Sequence, residues 1–163
     1  MANYIGTFRS SYFRAENEDA YESLKHHLVV TDDDVEFWNE KKDGEIYHGF
    51  GGYGDIVGYV ENVKAYKDCE SDEEQPDYDR FMKELSKIIK EEDACVIMSA
   101  GHEKLRYVSG DVVVITKNHV EYDSLEHRAR KIMKKRGIDP SSVDMYYWGK
   151  SIIKNTVLDM KYM

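Results

Sequence analysis

The residues that could do chemistry are first of all carboxylates, gathered in two clusters: Asp32, Asp33, Asp34 and Glu36, then Glu70, Asp72, Glu73 and Glu74. Acids this dense could crowd a cation, but the D-x-D-x-D-G order of a calcium loop is absent. Neighbouring acids on an extended chain also point in different directions, so no metal is expected. The reading left for them is a patch that contacts arginines and lysines of a partner.

Three further constellations have a chemical and a plain reading. Gly49, Gly51 and Gly54 in HGFGGYGDI match the G-x-G-x-x-G spacing by which backbone amides approach a pyrophosphate. A dinucleotide site needs a helix opening after the glycines, and DIVGYVENV carries Gly58 and β-branched residues there instead, so close backbone packing or a turn is expected and no cofactor. His102 and Glu103, near Lys104 and Arg106 in GHEKLRY, could serve as acid and base, yet no nucleophile accompanies them, and polar residues dressing a hairpin turn explain them as well. HExxH spacing is absent, and the pair His26 and His27 falls near an expected helix end, where polar side chains meet unpaired carbonyls.

Charge is unevenly spread. Residues 1–100 hold 24 acids against 11 bases, a net of −13, while residues 101–163 hold 8 against 12, a net of +4, within a total of −9. The acidic portion repels nucleic acid and attracts basic surfaces; solubility and partial neutralisation between the two portions is the plainer account. The basic run Arg128, Arg130, Lys131, Lys134, Lys135 and Arg136 could track phosphates, but the overall charge argues against direct nucleic-acid binding. Thirteen tyrosines add amphipathic rings of the kind found at interfaces, Tyr53 among them, although alternation buries many such rings in an ordinary core.

Local pattern predicts the elements that must position these groups. Helices are expected at 18–27, capped by Asn17 with Tyr21, Leu24 and Leu28 inward; at 78–90, capped by Asp77 or Asp79; and at 125–136, capped by Ser124 or Asp123 and stopped by Gly137. The second carries the strongest stripe, Tyr78, Phe81, Met82, Leu85, Ile88 and Ile89; the third carries Leu125, Ala129, Ile132 and Met133. Strands are expected at 4–8, 35–38, 46–50, 95–100, 111–116 and 120–122, the last three a meander with GHEK and KNH as turns. Residues 67–76 read as an acidic solvated loop, and after Pro140 one or two strands are expected, with a short helix followed by a strand as the alternative.

The chain therefore reads as one α+β domain over residues 1–163, a mostly antiparallel sheet with about three helices packed on it. Cys69 and Cys95 are too few for a disulfide framework and lack zinc-site neighbours. The opening MANYIGTFRSSYFR has no apolar signal core and no run is long enough to span a bilayer, so a cytoplasmic protein without membrane contact is expected.

GHEKLRYVSG, NYIGTFRSSYFR and IYHGFGGYG together resemble a group of small acidic proteins carried on bacterial phages and conjugative elements. The resemblance spans most of the chain and transfers no catalytic motif or site residue. It implies a role in the contest between mobile elements and host defence, where such proteins resemble anti-CRISPR inhibitors that occupy the basic channels of effector nucleases. The expectation is then a non-enzymatic inhibitor and nucleic-acid mimic. Its Asp32, Asp33, Asp34, Glu36, Glu70, Asp72, Glu73 and Glu74, flanked by Tyr53, would compete with DNA or guide RNA for a nuclease's arginines and lysines. Alternatives are an immunity protein or antitoxin against a basic nuclease toxin, a small enzyme using His102, Glu103 and Arg106 near His48, and an assembly protein that associates through tyrosine-rich edges.

Overall fold

In chain order the elements are β1 (Tyr4–Ser10), α1 (Glu18–Lys25), β2 (Leu28–Val30), β3 (Glu36–Lys42), β4 (Glu45–Tyr53), β5 (Ile56–Tyr59), α2 (Val63–Lys67), α3 (Tyr78–Ile88), β6 (Cys95–Glu103), β7 (Tyr107–Thr116), β8 (His119–Ser124) and α4 (Leu125–Lys135), with a 3-10 turn at Pro140–Ser142. The structure, a computed structural model, describes residues 4–32, 34–68, 74–103 and 107–143. Six strands form one antiparallel sheet in the order β3-β4-β1-β6-β7-β8, and β2 with β5 forms a second, two-stranded one. The fold is a single α+β domain, as the sequence pattern implies.

Helix boundaries follow the caps. Asn17 Oδ1 accepts from Ala20 N at 3.0 Å, Asp77 Oδ1 from Arg80 N at 2.9 Å, and Ser124 Oγ from His127 N at 3.1 Å. After α4, Gly137 takes φ 75, and Ile138 N donates to Met133 O while Gly137 N donates to Lys134 O, the paired bonds of a Schellman stop. Asp43 and Gly44, both at positive φ, form the two-residue turn that joins β3 to β4.

One face of the large sheet holds the core. α3 lays Phe81, Met82, Leu85 and Ile88 against it, followed by Ile89, and α1 adds Tyr21 and Leu24. These side chains meet Phe8, Phe13, Phe50, Cys95, Ile97, Val113 and Ile115 in one cluster. Each such burial contributes about 1.5–3 kcal/mol. The rings interlock edge to face, Phe13 on Phe50 at 6.3 Å and Phe50 on Phe81 at 6.2 Å between centroids. His48, also buried, holds α1 to β4 through a 2.6 Å bond from its Nε2 to Glu18 Oε2.

Several expectations need correction. A fourth helix, α2, and two strands, β2 and β5, exist where the pattern predicts none. α1 stops at Lys25, and Leu28 is buried as the first residue of β2, not as helix. Gly101, His102 and Glu103 of the expected GHEK turn continue β6. Gly49 and Gly51 lie inside β4 beneath the ring of Trp38, where a Cβ on Gly49 would come within 2.3 Å of the indole nitrogen. That is close packing, the reading preferred over a phosphate loop. α4 buries none of its residues, and Leu125 and Ile132 are exposed at 63% and 57%. Cys69, Tyr146, Tyr147, Trp148 and the strands expected after Pro140 lie outside the described residues, apart from the turn at Pro140–Ser142.

α3 enters the core through a narrow contact. Tyr59 N donates to Asp77 O at 2.9 Å and Asp77 N to Tyr59 O at 3.0 Å, so β5 abuts the start of the helix backbone to backbone. Gly58, at φ 145, makes room: a Cβ there would stand 2.5 Å from the Asp77 carbonyl carbon. Gly58→Ala is expected to destabilise the fold by about 2 kcal/mol or more, lowering the urea midpoint without changing the slope. Tyr21 presents the opposite case, since its buried hydroxyl has no hydrogen-bond partner among the described residues. Tyr21→Phe is expected to stabilise by about 1 kcal/mol in the same titration, because it removes a desolvated donor and keeps the ring.

Candidate functional site

The segment between β2 and β3 carries the first acidic cluster and is pinned where β4 gives way to β5. Thr31 N donates to Asp55 O at 3.0 Å, Asp55 N donates to Thr31 Oγ1 at 2.9 Å, and Gly54 N donates to Gly6 O at 2.7 Å. α2 approaches from the side, and its Lys67 Nζ donates to Asp34 Oδ1 at 2.9 Å. That ion pair is open to water, with the Asp34 side chain 88% exposed, so it steers Asp34 without cancelling its field.

Two hollows meet at Asp34. One, of about 560 Å³, runs over Thr7, Arg9, Glu36, Trp38, Gly51 and Tyr53; the other, of about 520 Å³, is lined by Val30, Asp32, Val57, Tyr66 and Lys67. Asp32, Asp34 and Glu36 are all exposed, and the Tyr53 ring beside them is 70% exposed. Arg9 lies 5.1 Å from the centroid of Trp38, forming a floor of indole and guanidinium on the first hollow. The arrangement is an acidic, aromatic-edged corner able to accept hydrogen bonds from guanidinium and ammonium groups.

Of the residues singled out from the sequence, Asp32, Asp34, Glu36 and Tyr53 thus come together. Glu74 does not: it is half-buried beside the Glu61 backbone, where its carboxylate accepts the Glu61 N–H. Asp33, Glu70, Asp72, Glu73 and Arg106 lie outside the described residues. His102 and Glu103 are consecutive in β6, so their side chains leave opposite faces of the sheet and do not form an acid-base pair. His102 pairs with Ile5 near one end of β1, whereas His48 pairs with Phe13 beyond the other end, which separates the two histidines by the length of the strand.

Asp55 is a member of the corner that the sequence pattern does not single out. Burial raises its carboxyl pKa above the usual aspartate value, and the charges of Asp32 and Asp111 push it the same way. Its place depends on β2 pairing with β5 across 24 positions of chain, which no local spacing reveals.

The sheet's second face forms the other notable surface. Alternation along the central strands sends Ile5 of β1, Met98 of β6 and Val108 of β7 to the side away from α1 and α3, with exposures of 57%, 61% and 69%. α4 reaches this face only at its margin, where Leu125 lies over Gly110. Among the described residues no group of three or more His, Cys, Asp or Glu could hold a metal ion, and no helix is long and apolar enough to cross a membrane. No protein-family model, curated protein or solved structure matches the chain.

The elevated pKa of Asp55 gives a pH signature. Below the ordinary aspartate pKa the carboxyl is neutral in both folded and unfolded chains and no penalty exists; the penalty grows as pH rises through the elevated folded value. Asp55→Asn should therefore raise the thermal midpoint by about 1–2 °C at pH 7 and leave it unchanged near pH 3, in paired melting curves.

Proposed function

We propose that this chain is a non-enzymatic inhibitor that binds a nuclease effector of host defence and blocks its nucleic-acid-binding surface. The observation that carries the reading is the convergence of Asp32, Asp34 and Glu36 with the exposed ring of Tyr53 on one pinned corner. Carboxylates held on a fixed frame meet arginines and lysines without first ordering a loop, which keeps the entropic cost of association low. Tyr53 and the Trp38 floor supply the large amphipathic contact area that interface centres use.

Charge supports the same direction. The molecule is strongly acidic overall, at −9, and its acids are concentrated before residue 100, so its field steers it towards basic surfaces and away from nucleic acid itself. The basic channel of an RNA-guided or DNA-cleaving enzyme is such a surface. The likeness of GHEKLRYVSG, NYIGTFRSSYFR and IYHGFGGYG to small acidic proteins of phages and conjugative elements points to host defence as the setting.

The test is capture of candidate CRISPR nucleases on the tagged protein at low salt and at about 0.5 M, where surface attraction is screened. Salt-sensitive binding, displaced by the nuclease's own guide RNA or DNA, is expected. The triple variant Asp32→Lys, Asp34→Lys, Glu36→Lys should lose at least about tenfold in affinity with its melting curve little changed, because the Asp34–Lys67 pair it removes is solvent-exposed. Capture that the triple variant retains in full would discard the acidic corner as the contact.

A further inference from the structure

The geometry points to self-association: the chain pairs with a second copy of itself, face to face, through the side of the six-stranded sheet that α1 and α3 leave open among the described residues. This inference shares Arg9, Glu36 and the Trp38 floor with the acidic corner, whose Asp32 and Asp34 lie in the segment ahead of β3, so Met98 and the Asp32–Asp34 segment are the positions that tell the two apart.

The apolar strip crosses the central strands, not an edge. In the sheet register Ile5 stands opposite His102 and His102 opposite Val108; two residues along, Thr7, Ala100 and Gly110 make a row of small groups; the next row is Arg9, Met98 and Val112. Thr7 and Ala100 form the low part of the middle row, Gly110 at its end lying beneath Leu125, and with exposed Ile5, Val108 and Met98 beside them they make a surface into which side chains of a second sheet can interdigitate. Six strands about 4.8 Å apart and about 25 Å long span roughly 600 Å², so with the exposed side of α4 standing in for the margin it covers, two copies would bury about 1,200 Å², the lower bound of a stable specific interface.

Charge selects the partner and the orientation. Glu36 and Glu40, with Lys42 beyond them, face this side from β3 and leave that margin net acidic, and at the other α4 presents Arg128, Lys131 and Lys135 to solvent. β8 adds Glu121 and Asp123 at that second margin, the latter paired with His127, and the three bases of the helix outnumber them. A two-fold axis running along the strands sets the β3 margin of each copy against α4 of the other, so that both pairings are acid on base. A two-fold across the strands would set Glu36 and Glu40 against themselves and α4 against α4. The exposed Leu125 and Ile132, two turns apart on α4, then find an apolar neighbour in the Trp38 floor of the other copy.

Sedimentation of the full chain from about 1 to 100 μM is the test, with a concentration-dependent dimer expected in that range. Met98→Lys should leave the protein monomeric throughout with its circular dichroism intact; Ile5→Asp is the second variant should the first fail to fold. Glu36→Lys with Glu40→Lys should weaken the dimer at least tenfold, and adding Arg128→Glu with Lys135→Glu should restore it. A wild-type chain that stays monomeric throughout overturns the inference. A dimer unaffected by Met98→Lys overturns it too, and a charge swap that restores nothing overturns the two-fold along the strands. Met98→Lys keeps Asp32, Asp34 and Glu36, so nuclease capture by this variant separates the two readings.

Discussion

The seat of α3 at Gly58 is the constraint on which the covered half of the molecule depends. Where β5 meets the helix, Tyr59 and Asp77 exchange two backbone bonds, and the same Asp77 caps α3 with its side chain. With no Cβ between them, the helix can start only at that point and in that rotation. The rotation is what turns Phe81, Met82, Leu85 and Ile89 towards Phe50, Ile97 and Ile115. Two outer ties hold the same seat: Arg80 lies 4.0 Å from the Tyr59 ring centroid while pairing with Glu61, and Asn118 N at the β7–β8 turn donates to Ser86 O.

That seat decides what stays uncovered. α1 and α3 both lie on one face of the sheet, and they are the helices whose apolar stripes are buried. The end of the sheet near Ser10 is closed by ion pairs, in which Arg14 bridges Glu45 at 2.5 Å and Asp93 at 3.0 Å while Lys90 adds a second bond to Glu45. At the other end the two-stranded sheet and α2 turn the chain outwards, and the acids of the β2–β3 segment collect there. The second sheet face is open at its centre because both helices that pack on the core lie on the first, while α4 reaches the second only at its margin.

Features set by neighbours in sequence were legible before the fold was known. The caps Asn17, Asp77 and Ser124, the stop at Gly137 and the α3 stripe each need only a few consecutive residues. β2 was hidden because Tyr21, Leu24 and Leu28 keep helical spacing although the chain has already left the helix, so burial of Leu28 fits both readings. α2, five residues with no buried member, offers no stripe to find. The stripe of α4 was read correctly as amphipathic, but periodicity identifies an apolar side without identifying what covers it, and here Leu125 and Ile132 face solvent. Asp32, Asp34 and Glu36 were visible as a group because they are adjacent in sequence; Asp55 joins them only through the pairing of β2 with β5.

The margins of the large sheet explain why its bare face need not lead to open-ended aggregation. β3 carries Glu36, Glu40, Lys41 and Lys42, and β8 carries Glu121 and Asp123, so both edge strands bear charges that oppose the addition of further strands. Strand addition at an edge repeats without limit, whereas packing of one face on another closes after a single step, because each sheet has its other face already buried under α1 and α3. Charges at the edges and apolar residues in the centre are thus a division of labour. The edges suppress the polymeric contact, and the centre, where Ile5, Met98 and Val108 are exposed on three adjacent strands, is left for one finite partner.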